Sequence, residues 1–150
     1  MIEPLRLSVE VACPADVAFG VWTADTTRWW PPGHTATGAP GSTVTFEPYV
    51  GGRVYERTAA GEEIDWGRIL AWEPPRRLVY SWHLRADRGD ATEVEIAFVE
   101  VGGGRSRLDI VHRGWERLGE RGPGWRERNQ RGWAGVLPPF AAACDARQPG

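Results

Sequence analysis

Apolar and polar residues alternate along much of the chain, and this period of two predicts a fold rich in β-strands. From Leu5 to Val11 every second residue is Leu or Val, with charged or hydroxyl side chains between them, as is typical of a half-buried strand. Six further strand-like segments are joined by short turns, so consecutive strands should pair antiparallel. These predicted strands cover residues 43–47, 53–57, 64–72, 77–85, 92–101 and 105–112.

Helical periodicity follows the first strand. Pro14 is tolerated in a first helical turn and an apolar stripe with a spacing of four comes after it, so residues 14–23 are predicted as a short helix. A second helical turn, capped by Asp25, carries Trp29 and Trp30. It is followed by residues 31–42, a Pro- and Gly-rich stretch without periodicity that is predicted as a loop.

The C-terminal segment has the period of a long amphipathic helix whose apolar face runs from Trp125 to Cys144. Pro138 and Pro139 lie inside this pattern and remove two backbone donors, while Gly135 eases the clash with the second proline ring. We therefore expect a kink at 134–138 and no break. Because this one helix must cover seven strands, the sequence predicts an α+β fold: a curved seven-stranded antiparallel sheet wrapped around a long C-terminal helix, with two short helices after the first strand.

Composition describes a globular chain that is unusually rich in tryptophan. The 150 residues are 41% hydrophobic and 25% charged with a net charge of −2, which excludes disordered classes and predicts a single domain, residues 1–150. No membrane-spanning stretch or signal-peptide pattern is found, so we expect a cytoplasmic protein with no membrane partner. The nine tryptophans must either fill the core or line a space that a ligand fills.

Motifs that bind phosphate, dinucleotides or zinc, and the nucleophile elbow of hydrolases, are missing from the sequence, so no catalytic residue, metal or cofactor is predicted. The three histidines stand singly, and the cysteines Cys13 and Cys144 are expected to be free thiols. Eight arginines lie between Arg105 and Arg131, but the whole chain is acidic. We interpret them as a solvated surface and expect no nucleic-acid partner.

A series of short motifs runs in order along almost the whole chain. They are Val-Ala-Cys-Pro-Ala-Asp-Val-Ala-Phe at 11–19, Trp29-Trp30, Glu47-Pro48 with Gly51-Gly52-Arg53, Trp66-Gly67-Arg68-Ile69, Trp72-Glu73-Pro74-Pro75-Arg76-Arg77-Leu78, Thr92-Glu93-Val94 with Phe98, His112-Arg113-Gly114-Trp115, and Gly132-Trp133. Together they resemble the SRPBCC superfamily of START and birch-pollen-allergen-like domains, and within it the branch named after the activator of heat-shock-protein-90 ATPase. The resemblance implies a helix-grip fold with a cavity between the sheet and the C-terminal helix.

The candidate site residues are side chains that the predicted elements direct into this cavity. His112 shares strand parity with Leu108 and Ile110, so its imidazole points inward, either as a polar anchor for a ligand or as a hydrogen-bonded core group. Tyr80 and Trp82 share one face of an adjacent strand, as cavity wall or as ordinary core. The candidate cavity residues are Trp30, Tyr80, Trp82, Phe98, His112, Trp133 and Phe140, and the candidate polar anchors are Glu56, Tyr80 and His112.

We expect the protein to bind a small apolar molecule, aromatic or lipid-like, with the loop at 31–42 as a gate beside Trp30. One alternative is an enzyme resembling the polyketide aromatase/cyclases, with His112, Tyr80 or Glu56 as acid–base groups. An open cavity favours either of these functions over a function in protein–protein interaction.

The second alternative is a chaperone-associated interaction domain that uses an exposed aromatic patch around Trp29 and Trp115. The eukaryotic co-chaperone carries a separate N-terminal domain for which this chain has no room, so a chaperone partner is the less favoured expectation. A free sheet edge and an aromatic patch are compatible with either a monomer or a homodimer.

Overall fold

The computed structural model describes residues 2–83 and 91–146, which form seven strands and three α-helices. Strands β1–β7 span Leu5–Val11, Thr43–Phe46, Arg53–Arg57, Glu63–Glu73, Arg77–Trp82, Thr92–Gly102 and Arg105–Arg113. Helices α1–α3 span Ala15–Thr23, Thr26–Trp29 and Gly122–Ala146, and short 3₁₀ segments lie at Pro32–His34 and Trp115–Arg121. The predicted α+β fold is confirmed. The end of the strand predicted at 77–85 lies outside the described residues.

The strands form one curled antiparallel sheet in the order β1-β7-β6-β5-β4-β3-β2. Strands β2 to β7 are the predicted meander, while β1 returns to the far edge and pairs with β7, Leu5 lying opposite His112. Register shifts in the β3–β4 and β4–β5 ladders mark bulges, which bend strands and increase their twist. The resulting concave face receives α3.

Long-range contacts hold the two short helices in place. The backbone N–H of Ala15, at the start of α1, donates to Oε1 of Glu100 at 2.6 Å. A side chain of strand β6 thus satisfies one of the N–H groups that have no partner within the helix. Thr27 of α2 closes the edge strand β2, because its Oγ1 bonds both the N–H and the carbonyl of Val44, at 2.9 and 3.2 Å. Asp25 occupies the N-cap of α2, but contrary to the prediction its side chain makes no capping hydrogen bond.

Helix α3 continues through Pro138 and Pro139, as predicted. The kink at 134–138 stays a prediction. Gly135 has a further role that its spacing from the prolines did not reveal: a Cβ at this position would lie 2.7 Å from Nε2 of His34. Glycine therefore lets the loop after α2 pack directly against the helix. Among the described residues, no helix has the length and hydrophobicity needed to cross a membrane.

Aromatic rings form much of the core beneath α3. Trp22 is fully buried and its ring centroid lies 5.0 Å from that of Trp29 and 4.9 Å from that of Phe140. The prediction of an exposed aromatic patch around Trp29 and Trp115 is wrong, because these side chains are only 6% and 1% exposed. Each indole N–H donates to a backbone carbonyl, that of Val21 for Trp29 and that of His112 for Trp115.

Candidate functional site

A cavity of about 380 Å³ lies between the concave face of the sheet and α3. Its volume falls at the lower end of the range of small-molecule pockets, roughly 300–1,000 Å³. Five of the nine tryptophans contribute to its wall. They are Trp30, Trp82, Trp115, Trp125 and Trp133. More than half of the indoles in the chain therefore border a space that a ligand could occupy.

The cavity brings together several of the residues that the sequence singled out, but not all of them. Trp30, Tyr80, Trp82 and Trp133 line it. Phe98 packs against Phe19 with ring centroids 5.0 Å apart, and Phe140 packs against Trp22, so the structure places both phenylalanines in the core outside the lining. His112 also lies outside the lining and is fully buried behind it.

His112 is held by hydrogen bonds that fix its tautomer. Nδ1 accepts from Nε1 of Trp133 at 3.1 Å, so the ring proton of neutral His112 lies on Nε2, which is 2.7 Å from Oγ1 of Thr92. Thr92 in turn donates to the carbonyl of Trp82 at 3.0 Å. Burial lowers the pKa of His112 to about 3, which keeps the ring neutral near pH 7. His112 thereby orients Trp133 and Thr92, both of which line the cavity.

Tyr80 lines the cavity and carries a neutral hydroxyl. Its ring meets Phe46 edge-on at 5.2 Å and Trp82 at 6.0 Å. Burial raises the pKa of the hydroxyl far above its ordinary value, and the neighbouring Trp22 side chain opposes this rise. The Nε1 of Trp22 is itself buried without reaching hydrogen-bond geometry with any group among the described residues. At neutral pH the phenol stays protonated and can donate a hydrogen bond.

Glu56 lies outside the cavity lining and holds the loop at 31–42 against the sheet. Its carboxylate is fully buried and accepts hydrogen bonds from the backbone N–H of Ala36 at 2.7 Å and from the hydroxyl of Thr37 at 2.5 Å. A longer bond of 3.3 Å comes from Nε1 of Trp66. The structure thus surrounds this predicted ligand anchor with donors from the protein itself.

The loop at 31–42 also contacts α3 through His34. Nε1 of Trp30 donates to the carbonyl of His34 at 3.1 Å, and the imidazole of His34 packs where a Cβ of Gly135 would be. Trp30 packs in turn against Trp82, with ring centroids 6.0 Å apart. The loop therefore forms one side of the cavity and is fastened to both the sheet and the helix.

Part of the wall was missed at the level of sequence. Leu118 lies in the 3₁₀ segment before α3, where no periodicity marks it, and Arg128 and Arg131 lie on faces of α3 that were interpreted as solvated. Asn129, which also lines the cavity, lies on the face that was predicted to be apolar. His83 completes the polar lining at the end of β5. The apolar stripe that starts at Trp125 was the one feature of the sequence that indicated a buried face at this end of the helix.

The described residues give no sign of a metal site or of a reactive thiol. No group of three or more His, Cys, Asp or Glu side chains within them is arranged to hold a metal ion. Cys13 and Cys144 are both free and fully buried, and burial raises the pKa of both thiols. These cysteines are core residues.

Several solved structures are similar to this chain. An anthrahydroquino-gamma-pyrone synthase, Txn09, determined in complex with SUM, is 37% identical, with 82% of this chain and 84% of that chain covered and a TM-score of 0.60. CalC, a self-sacrificing resistance protein from Micromonospora echinospora, is 29% identical over 97% of this chain and 98% of that chain, with a TM-score of 0.73. PFC0360w, an HSP90 activator from Plasmodium falciparum, shares the fold at 20% identity, covers 91% of each chain and has a TM-score of 0.66.

The sequence places the chain in a family. No curated protein is similar enough to give a match. The family model described as "Activator of Hsp90 ATPase homolog 1-like protein" matches residues 12–144, which is most of the chain. This agrees with the ordered motifs in the sequence and with the sheet wrapped around a C-terminal helix. The chain therefore belongs to the activator of Hsp90 ATPase homolog 1-like family.

Proposed function

We propose that this protein binds a small, planar, fused-ring aromatic molecule in the cavity between the sheet and α3. The observation that carries the proposal is the placement of five of the nine tryptophans around one space of about 380 Å³. An empty cavity costs packing energy, roughly in proportion to its volume, and a ligand of matching shape recovers that energy. Indole rings add offset-stacked and edge-to-face contacts that favour another aromatic ring.

The arrangement of the rings supports an aromatic ligand over an alkyl chain. Trp30 comes from the end of α2, Trp82 from β5 and Trp133 from α3, so the indoles approach the space from three directions. The planes of Trp30 and Trp82 are inclined by 49°, and those of Tyr80 and Trp82 by 67°, which offers both ring faces and ring edges to a flat ligand. The protonated hydroxyl of Tyr80 would donate to a ring carbonyl or phenol oxygen.

One of the reported structures supports the same class of ligand. Txn09, 37% identical, is named as a synthase of an anthrahydroquino-gamma-pyrone, a fused-ring aromatic system. This identity favours a second candidate function for the present chain, namely ring closure on such a molecule. Among the described lining residues, Tyr80, His34 and His83 carry the phenol and imidazole groups that could serve it as acids or bases. The chaperone-associated alternative depended on an aromatic patch that is in fact buried.

A cavity-filling variant tests the proposed function. Gly132 lines the cavity, and a Cβ there would have His34 Nδ1 as its nearest neighbour, at 4.0 Å. Gly132→Phe should therefore fill the space without disturbing the core. Gly124→Phe is the matched control, because Gly124 lies on the same helix, outside the lining, with no atom within 4 Å of its Cβ position.

Binding of anthraquinone-2-carboxamide, a neutral three-ring probe, is measured by quenching of tryptophan fluorescence, and binding of decanamide, the alkyl comparator, by its displacement of that probe. We expect the wild type and Gly124→Phe to bind the anthraquinone equally and to prefer it to decanamide. Gly132→Phe should weaken binding by about tenfold or more, which is ~1.4 kcal/mol. Binding that Gly132→Phe leaves unchanged, or a wild type that binds decanamide better, would overturn the proposal. Turnover of a linear polyketide-like substrate that depends on Tyr80 would establish the second candidate.

A further inference from the structure

We infer that the ligand of this cavity is an aromatic carboxylic acid, and that Arg128 and Arg131 bind its carboxylate at the end of the cavity formed by the first turns of α3. The inference rests on the proposed function, because it assigns a chemical class to the molecule in the same cavity. It goes further by predicting which end of that molecule is charged and which side chains recognise it.

The charge of the lining is the first observation. Two arginines line the cavity, together with His34 and His83, and among the described residues that border it there is no aspartate or glutamate. The whole chain carries a net charge of −2, so the positive lining does not simply reflect an excess of basic residues in the protein. A cavity with apolar walls and two guanidinium groups, of which Arg131 has an exposed ion-pair partner outside the lining and Arg128 has none among the described residues, favours an anionic ligand over a neutral or cationic one.

The placement of the two arginines is the second observation. Residues three positions apart lie next to each other on a helix surface, so Arg128 and Arg131 form a pair on α3. Gly132, the residue after Arg131, also lines the cavity and has no side chain there. A flat ligand stacked on the indoles would therefore extend its end group towards both arginines.

Arg128 is ordered without being neutralised. Its guanidinium carbon lies 4.9 Å from the centroid of the Trp125 ring, and Trp125 is itself part of the cavity wall. Stacking on an indole holds the planar group by its face and leaves its N–H edge free to bind a carboxylate. No carboxylate among the described residues forms an ion pair with Arg128. This side chain is thus preorganised for an anion that the protein itself does not supply.

Arg131 has a partner that a ligand can displace. It pairs with Glu127 at 3.1 Å, and the side chains of the two residues are 67% and 72% exposed. Exposed pairs of this kind contribute little to stability, so a ligand carboxylate can replace Glu127 at small cost. Arg126, on the same helix, differs from both arginines of the cavity. Its guanidinium donates to the carbonyls of Glu3 and Pro4, which gives it a structural role.

The test compares two probes that share one ring system, anthraquinone-2-carboxylate and anthraquinone-2-carboxamide. The wild type should bind the carboxylate about tenfold more tightly or better, as expected for charge-assisted hydrogen bonds. The double variant Arg128→Gln with Arg131→Gln should lose this preference and keep its affinity for the carboxamide. Arg105→Gln is the control, because Arg105 is the exposed first residue of β7, at the opposite end of β6 and β7 from Thr92.

The outcomes separate this inference from the proposed function. Equal affinity of the wild type for the two probes overturns the carboxylate assignment and leaves the aromatic cavity intact. A double variant that keeps the preference overturns it as well. If neither probe binds, the proposed function itself fails. Support comes from a preference that is lost in the double variant, kept in Arg105→Gln, and reduced when the salt concentration is raised from about 50 to about 500 mM.

Discussion

Trp133 of α3 donates its indole N–H to Nδ1 of His112 on β7, across 3.1 Å. This bond joins the helix to the sheet directly behind the cavity wall, and it requires a histidine nitrogen that carries no proton. The other nitrogen, Nε2, lies 2.7 Å from the hydroxyl of Thr92. The position of Trp133, one of the two indoles that α3 contributes to the cavity, therefore depends on a neutral imidazole outside the lining.

Protonation of His112 should destabilise the fold as the pH falls. Its pKa is about 3 in the folded protein against an ordinary 6.5, so the unfolded chain binds the extra proton first, and stability is lost between pH 6.5 and about 3. Between pH 7 and pH 5 this histidine should lower the free energy of unfolding by about 2 kcal/mol.

Urea unfolding at pH 7 and pH 5 measures this effect, with His112→Gln as the comparison because glutamine is neutral throughout the range. We expect a smaller loss of stability in His112→Gln than in the wild type. The lowered pKa values of Asp65, Glu95 and Asp109 act mainly below pH 4.5 and are common to both proteins. Equal losses in the two proteins would contradict the assignment of a buried neutral imidazole.

Gly67 should tolerate no side chain, because β4 and β5 approach each other too closely there. A Cβ at this position would lie 1.7 Å from the carbonyl oxygen of Ser81, and a backbone atom cannot move aside as a side chain does. Gly67→Ala should lower the free energy of unfolding by about 3 kcal/mol or more. Gly124→Ala, on an open helix position, should be neutral or stabilising by up to about 1 kcal/mol. Thermal unfolding of both variants measures the difference. A Gly67→Ala protein as stable as the wild type would contradict the close approach of β4 and β5 at this position.

Glu56→Gln should loosen the loop at 31–42. Glutamine has one acceptor oxygen in place of two, so its NH₂ group would face the backbone N–H of Ala36 or the hydroxyl of Thr37. A loss of stability of about 1–3 kcal/mol is expected, together with faster hydrogen exchange at the amide of Ala36. Glu62→Gln, an exposed carboxylate, is the control. Unchanged exchange at Ala36 would show that the loop does not depend on this carboxylate.

The fold follows from local patterns more completely than the site does. Alternation and turn residues were enough to predict the meander from β2 to β7, since each strand pairs with its neighbour in the chain. The return of β1 to β7 was not predicted, because Leu5 and His112 are paired across the whole chain. The hydrogen bond from the N–H of Ala15 to Glu100 was not predicted for the same reason, because the two residues lie far apart in the sequence. Such contacts leave no periodic signal.

Within the site, strand parity predicted that His112 points inward but could not show that Trp133 and Thr92 stand between it and the cavity. Tyr80 and Trp82 were predicted correctly as neighbours on the face of one strand. The interaction alternative placed Trp115 in an exposed patch, and the 3₁₀ segment that in fact buries it could not be predicted from a periodic pattern. Glu56 was predicted as a polar anchor in the cavity, because the sequence could not show that the loop at 31–42 packs against β3 and binds this carboxylate.

The nine indole N–H resonances in a ¹H–¹⁵N NMR spectrum test the central claim most directly when anthraquinone-2-carboxamide is added. A ligand in the cavity should shift most strongly the signals of Trp30, Trp82, Trp115, Trp125 and Trp133, which line it. Trp72, which packs against Phe19 outside the lining, should change least. Shifts of this pattern are the result we predict. Saturable binding that moves Trp72 and leaves Trp30 and Trp133 unchanged would contradict the proposal that the cavity is the ligand site.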